Sequence, residues 1–485
     1  GVTPATLTLS EAPIYDYGSP VLGSQTDHTF NVTNTGGFIA TTIVGGGLLP
    51  PYEYKGGAYP GTGGTCTGSL ASGSACTIIV TYSPTVVGVD TDTIEIDYFD
   101  GVNTQTALRD LTGTGVVPAF LTITDSPLYD YGTQAVGSTT QYTFTLDNIG
   151  GAAATSMAEV GLAAPYQFVG GVYPGTGGTC GTTLSNGAQC DLVVEFSPVA
   201  IGAFNDTIAV DYFDGAATQQ VTRDVTGLGA APALLTVSDG PTYDFSRQAI
   251  GSQTNYTLTI TNAGGVGASS MAGLGLAPPF DFEGSAYPGT SGTCGATLAA
   301  TATCTITVTY SPVALGVLTD TILIDYDDGV VAQQATRDVT GEGVNPALLT
   351  IDQGPTYDYG TVAQGSVTLN TFNITNGGDV SADNITDLAG LAAPFQYEGG
   401  TYPGTTGNCG TSLASGATCS IVVEYNPTAT GISADTIDIQ YDDGANVVNT
   451  QRNIQGTSVS PALLVIDQAP TYDYGTLPTL SLIHI

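Results

Sequence analysis

The chain has 485 residues, with 6 Lys and Arg against 43 Asp and Glu, for a formal net charge of −37. Yet 41% of its residues are hydrophobic and its mean hydropathy is +0.17, which excludes ordinary disorder, where high charge accompanies low hydrophobicity. So acidic a surface, with no basic patch, excludes binding to phosphate backbones and disfavours anionic membranes, and no apolar run is long enough to span a bilayer.

The composition reads as strands and turns. Gly at 66 and Pro at 26 mark many turns, and the Thr, Val, Ile and Tyr between them favour a pleated, half-buried surface. No long stretch has a helical apolar period. Taken in chain order, the motif Tyr15-Asp16-Tyr17-Gly18 returns at Tyr129, Tyr357 and Tyr472, and in altered form as Tyr243-Asp244-Phe245-Ser246. The steps between first tyrosines are 114, 114, 114 and 115 residues, a period that makes each copy a domain, since solenoid repeats are far shorter. Tyr-Pro-Gly recurs at Tyr59, Tyr173, Tyr287 and Tyr402, and an aromatic-polar-Pro step at Tyr82, Phe196, Tyr310 and Tyr425.

Within the second copy, Ala119 to Thr124 reads as a first strand and Tyr142 to Asp147 as the next, closing on the turn signal Asn148-Ile149-Gly150-Gly151. Cys190, Leu192, Val194 and Phe196 form one face of a strand. Thr207 to Tyr212 and Gln219 to Thr226 flank the turn pair Asp214-Gly215. About seven short strands in a hundred residues predict an all-β fold of tandem immunoglobulin-like β-sandwich domains, although antibody hallmarks are missing because there is no Trp. The expected domains are 1–116, 117–230, 231–344 and 345–459, with 460–485 the truncated start of a fifth copy. Short joins such as Gly113 to Val117 predict a stiff, elongated array. Leu480 to Ile485 fits no repeat position and resembles a translated sequencing adapter, so the chain is expected to be an open-ended fragment.

The eight cysteines fall in pairs, Cys66/Cys76, Cys180/Cys190, Cys294/Cys304 and Cys409/Cys419, always with nine residues between. A fixed spacing and an even count predict structural disulfides; zinc would need four Cys or His ligands, and the only histidines are His28 and His484. The acids of a recurring hairpin, Asp97 and Asp100, Asp211 and Asp214, Asp325 and Asp328, are calcium candidates by ligand type. The preferred reading is that Asp-Gly makes the turn and the other acids face water, so that no cofactor is expected. Four of the six basic residues, Arg109, Arg223, Arg337 and Arg452, share one position in the last strand, where a structural ion pair with an acid of the same domain is expected. Catalytic signatures are missing: there is no nucleophile elbow, Walker loop or dinucleotide fingerprint, and a Ser-His-Asp triad has no recurring histidine. No enzyme is expected. Sequons at Asn31, Asn205, Asn255, Asn373 and Asn384 share no repeat position and read as incidental.

A Pro-Ala-Leu-Leu opening (Pro232 to Leu235, Pro346 to Leu349), a strand closing on Asn-x-Gly-Gly, the cysteine loop and the aromatic-Ser-Pro step together resemble the bacterial choice-of-anchor D repeat proteins. Their domains are similar to the abnormal-spindle/hydin class of Ig-like folds. The resemblance covers all four copies and implies export and surface display, with an anchor outside this sequence. The microtubule association of the eukaryotic relatives is not carried over, because acidic tubulin tails would repel this chain. The expected role is a non-catalytic extracellular or cell-surface stalk, spacer or adhesion scaffold. The alternatives are a glycan- or protein-binding array working by avidity, which an exposed aromatic patch in every repeat would favour, and accessory repeats of an exported enzyme. The expected partners are an unknown surface ligand or neighbouring domains of the same chain.

Overall fold

The computed structural model describes residues 1–466 together with Thr471, Asp473, Gly475 and Thr476. Tyr472 and Tyr474 of the fifth copy, and the segment 480–485 with His484, lie outside the described residues. Among the described residues there is no α-helix, only two 3₁₀ turns at Glu283–Ser285 and Glu398–Gly400.

The first repeat shows the plan. Its strands are β1 (Leu7–Leu9), β2 (Ile14–Asp16), β3 (Thr26–Asn34), β4 (Ala40–Gly45), β5 (Tyr52–Tyr54), β6 (Ser69–Leu70), β7 (Ala75–Tyr82), β8 (Gly88–Phe99) and β9 (Thr104–Gly115). One sheet runs β1-β3-β7-β5 and the other β2-β9-β8-β4-β6. Alternation builds the core between them: Phe30, Val32, Ile78, Val80, Tyr82, Ile94 and Ile96 are all 0% exposed, while their strand neighbours face outward. Each such side chain contributes about 1.5–3 kcal/mol by burial. The other three repeats build the same pair of sheets, except that an isolated bridge (Ala154 to Leu184, Ala268 to Leu298, Ala382 to Leu413) stands in place of β6, leaving the second sheet four-stranded. This is a tandem array of Ig-like β-sandwich domains. The last strands of the four repeats end at Gly115, Ala230, Val344 and Val459.

Two compact units are defined by contacts: Gly1–Ala233 with Gly264–Gly267 and Asp328–Val331, and Leu234–Ala263 with Ala268–Asp327 and Ala332–Ile485.

The opening segment of each repeat changes sheets. In the first, β1 pairs antiparallel with β3, then β2 pairs parallel with β9 in the opposite sheet. The switch runs through Ser10 to Pro13 and places Glu11 at φ 65°, a left-handed conformation unfavourable for a residue with a Cβ. Asp125 (62°), Asp239 (59°) and Gln353 (69°) repeat it.

Candidate functional site

Each cysteine pair closes a glycine-rich excursion onto the strand bearing its second cysteine. Disulfides join Cys66 to Cys76, Cys180 to Cys190, Cys294 to Cys304 and Cys409 to Cys419. After β5 the chain leaves the sheet, turns through Tyr59-Pro60-Gly61 and returns so that Thr65 and Cys66 both donate to the Thr77 carbonyl. Gly61 is required there: its φ is +88°, and a Cβ would sit 2.3 Å from the Ile79 carbonyl oxygen. A ten-residue closure stabilises each repeat by about 3 kcal/mol in the chain-entropy treatment. We expect reduction of the folded chain to lower its melting temperature by more than about 10 °C, read by calorimetry with and without reductant. Four disulfides fit an oxidising, extracellular setting.

The expected ion pair at the repeated arginines is corrected by the structure. Arg109 donates from Nε to the Ser10 carbonyl (2.7 Å), from Nη1 to that of Pro13 (2.7 Å) and from Nη2 to that of Leu9 (2.6 Å). Arg223 grips the Thr124 carbonyl from Nε (2.7 Å) and the Ile123 carbonyl from Nη2. Arg337 donates to Pro241 and Val237, and Arg452 to Ile351. The guanidinium therefore clamps the backbone of the sheet-switching kink rather than a carboxylate. The physical reason is local supply: the kink breaks from the sheet ladder and leaves several carbonyls close together, which a planar five-donor fork can satisfy at once. Asp110, Asp224 and Asp338 instead accept from Thr93, Thr207 and Thr321.

The calcium candidates do not converge. Asp100 Oδ1 accepts the backbone N–H groups of Val102 (2.6 Å) and Asn103 (2.7 Å), and its Oδ2 accepts the Gln105 amide (3.1 Å). Asp214 is held in the same way by Ala216, Ala217 and Gln219, and Asp328 by Val330 and Val331. Asp97, Asp211 and Asp325 leave the opposite face of the hairpin and accept from Thr106, Gln220 and Gln334. One acid of each pair is thus spent on the turn while the other points away, and no group of three or more His, Cys, Asp or Glu gathers into a metal site among the described residues. The N–H donors of Asn103 and Val102 hold the Asp100 carboxyl below its usual range. At Asp214 burial pushes the carboxyl up, but the donors Ala217, Ala216 and Gln219 outweigh it and the net direction is again down. A folded pKa below the unfolded value of about 3.9 gives stability that is complete above that pH and is lost as pH falls through the lower folded value. We expect the loss of melting temperature below about pH 4 to shrink in the double variant D100N/D214N, measured against the parent from pH 7 to pH 2.

The recurring tyrosines are core and rim residues, not an exposed platform. Tyr17 is 7% exposed and donates to the Val80 carbonyl (2.9 Å), as Tyr131 does to Val194 (3.0 Å) and Tyr359 to Val423 (2.9 Å). In the third repeat Phe245 has no hydroxyl to make this bond. Tyr59 lies edge-on against Tyr54 at 5.4 Å, and burial pushes its hydroxyl up to about 12. His28 stacks on Tyr15 at 3.8 Å, where Tyr142 and Tyr256 stack on Tyr129 and Tyr243, so it is a rim-packing residue.

No known protein family and no curated protein matches the chain. Among solved structures it is similar to the protocadherin GammaB4 extracellular domain, at 10% identity over 94% of this chain and 68% of that one, with a TM-score of 0.29. A three-Ig fragment of titin, I67–I69, aligns at 10% identity over 70% of this chain and all of that one, with a TM-score of 0.26. The ASH/PapD-like domain 7 of human CEP192 aligns at 14% identity over 24% of this chain and 89% of that one, with a TM-score of 0.19.

One repeated group went unread in the sequence beyond its turn. Asn34 is 0% exposed and uses its whole amide. Its Oδ1 accepts from the N–H groups of Thr6 (3.2 Å) and Gly36 (3.1 Å), and its Nδ2 donates to the carbonyls of Phe38 (2.8 Å) and Leu70 (3.0 Å). Asn148 and Asn376 are equally buried and make the same set of bonds, and Asn262 is buried to the same degree. The signal was in the sequence: asparagine always stands at the inward-facing end of an alternating strand, where a solvated turn residue would not need to be.

Proposed function

We propose that this chain is a tension-bearing, non-catalytic spacer outside the cell, displayed at a surface as its resemblance to choice-of-anchor D proteins implies. The supporting observation is the pairing of the incoming and outgoing strands. In every repeat they are parallel neighbours: Ile14 to Asp16 beside Asp110 to Thr112, Leu128 to Ala135 beside Asp224 to Ala230, and likewise in the third and fourth repeats. A pull that draws the two chain ends apart slides these strands along one another. It loads all their hydrogen bonds together instead of opening them one by one. The arginine clamp ties the same two segments, since Arg109 stands on β9 and grips the kink before β2. The burial of the repeated tyrosines weighs against a glycan-binding array.

Single-molecule stretching tests this. The expected trace has four force peaks, each releasing roughly 35 nm of chain, the length of a repeat less the residues its disulfide locks, and about 4 nm more in reductant. Extension without resolvable peaks would remove the mechanical reading.

A further inference from the structure

The last strand of the second repeat is longer than the strand beside it. Along one edge it pairs from Thr218 to Gly229 with Gly202–Phe213. Along the other, Leu128–Ala135 reaches only Asp224 to Ala230. The Ala230 carbonyl accepts from Val136 on that second edge. Backbone groups of every second residue share one side of a strand, so Thr218, Gln220 and Thr222 turn their N–H and C=O groups to the same edge. Among the described residues no strand stands there, and all three residues are exposed.

The repeat's other edges are blunted. Leu121–Ile123 and Tyr166–Phe168 are three residues long, and Leu128–Ala135 and Thr155–Glu159 are each broken by a register shift. The open run Thr218-Gln219-Gln220-Val221-Thr222 has no charge, no proline and no register shift, the devices that ordinarily keep a strand edge from taking a partner. Beside it lies a groove of about 680 Å³, a size that takes small ligands. Leu121 and Tyr212 line it as buried residues, whereas Phe120 and Ile149 line it while 57% and 60% exposed. The open edge recurs at Thr104, Thr106 and Leu108 and at the matching residues of the third and fourth repeats. The apolar rim does not: Phe120 and Ile149 are matched by Thr6 and Thr35, by Leu234 and Ala263, and by Leu348 and Gly377.

We propose that the second repeat takes an added strand here: an extended, basic segment of a partner protein, apolar at every second position, which pairs with Thr218 to Thr222 and seats its apolar side chains in the groove. Charge complementarity names the occupant. Residues 117–230 include ten Asp and Glu and one basic residue, Arg223, whose guanidinium is committed to the kink. Asp211 stands opposite Gln220 and Asp224 ends the open run. Alternate side chains of an added strand point away from the groove and toward these acids, so Lys or Arg suits those positions. A second copy of this chain, at net charge −37, meets repulsion at the same edge. The site does not rest on the spacer role.

Fluorescence anisotropy on the whole chain tests the proposal, with a labelled octapeptide of alternating valine and lysine as the probe. Saturable binding is expected. An added strand bonds through every second amide, so N-methylating alternate amides of the probe is expected to abolish binding in one phase and spare it in the other. Gln220→Pro removes an N–H that serves no bond within the sheet, at an edge position where proline is tolerated, and is expected to weaken the probe at least about tenfold. The phase comparison uses the unaltered chain, so it stands even where the proline variant fails to fold. No saturable binding overturns the proposal. Equal binding by both methylated probes also overturns it, as attraction of charge alone. A folded Gln220→Pro chain that binds as tightly as the parent overturns the assignment to this edge. A dimer of the chain without probe, abolished by Gln220→Pro, would put a second copy in the groove and overturn the basic partner.

Discussion

Replacing Asn148 with alanine is expected to cost the second repeat about 4 kcal/mol, enough to make it melt in a separate, earlier calorimetric transition. The amide has no access to water and makes four bonds, so its removal strands the N–H groups of Phe120 and Gly150 and the carbonyls of Ala152 and Leu184. Each stranded buried group costs about 1–3 kcal/mol, and a water entering the vacated space recovers part of that. Asn148→Asp tests the assignment. A carboxylate keeps the shape and can accept both N–H groups, but it cannot donate to the two carbonyls. It is therefore expected to destabilise about as much as alanine at neutral pH. A variant that melts with the other three repeats would show that the amide is dispensable.

Arg109→Ala is expected to lower the stability of the first repeat by about 3 kcal/mol and to reduce the height of one force peak in stretching. The three carbonyls of the kink lose charge-assisted donors at 2.6–2.7 Å, and the strained Glu11 loses the group that holds its surroundings in place. Arg109→Lys is expected to recover less than half of the loss, because one ammonium on a flexible stem cannot reach three carbonyls spread over five residues. Full rescue by lysine would show that the position needs only a positive charge, as the ion-pair expectation had it.

These two residues mark how far the sequence could be read. Sandwich and repeat were legible because alternation and a 114-residue period are local statements that one chain makes about itself. Nine residues between two cysteines left each repeat a pairing it could make alone. The partner of Arg109 was not legible, because backbone carbonyls have no letter. A search for its counter-charge turned to acids, which this chain has everywhere. Asn148 was read only as a turn residue for a related reason: Asn-x-Gly-Gly is a turn signal in most settings, and only its place on the inward face distinguishes a buried keystone from a solvated corner. Asp100 and Asp97 looked alike in sequence but face opposite ways across a hairpin, so counting carboxylates overstated what they could hold together.

The four repeats are not equal in strength. The third has Phe245 where the others have a tyrosine bonded to the facing strand, and Ser246 at φ 61° where the others have glycine. A missing hydrogen bond and a left-handed residue with a side chain each cost about 1 kcal/mol. On the mechanical reading proposed above, these two changes lower the load at which the third repeat opens, and its released length would slacken the line until it refolds. A chain of identical links has no such built-in difference; here two substitutions in one copy supply one, as a fuse does.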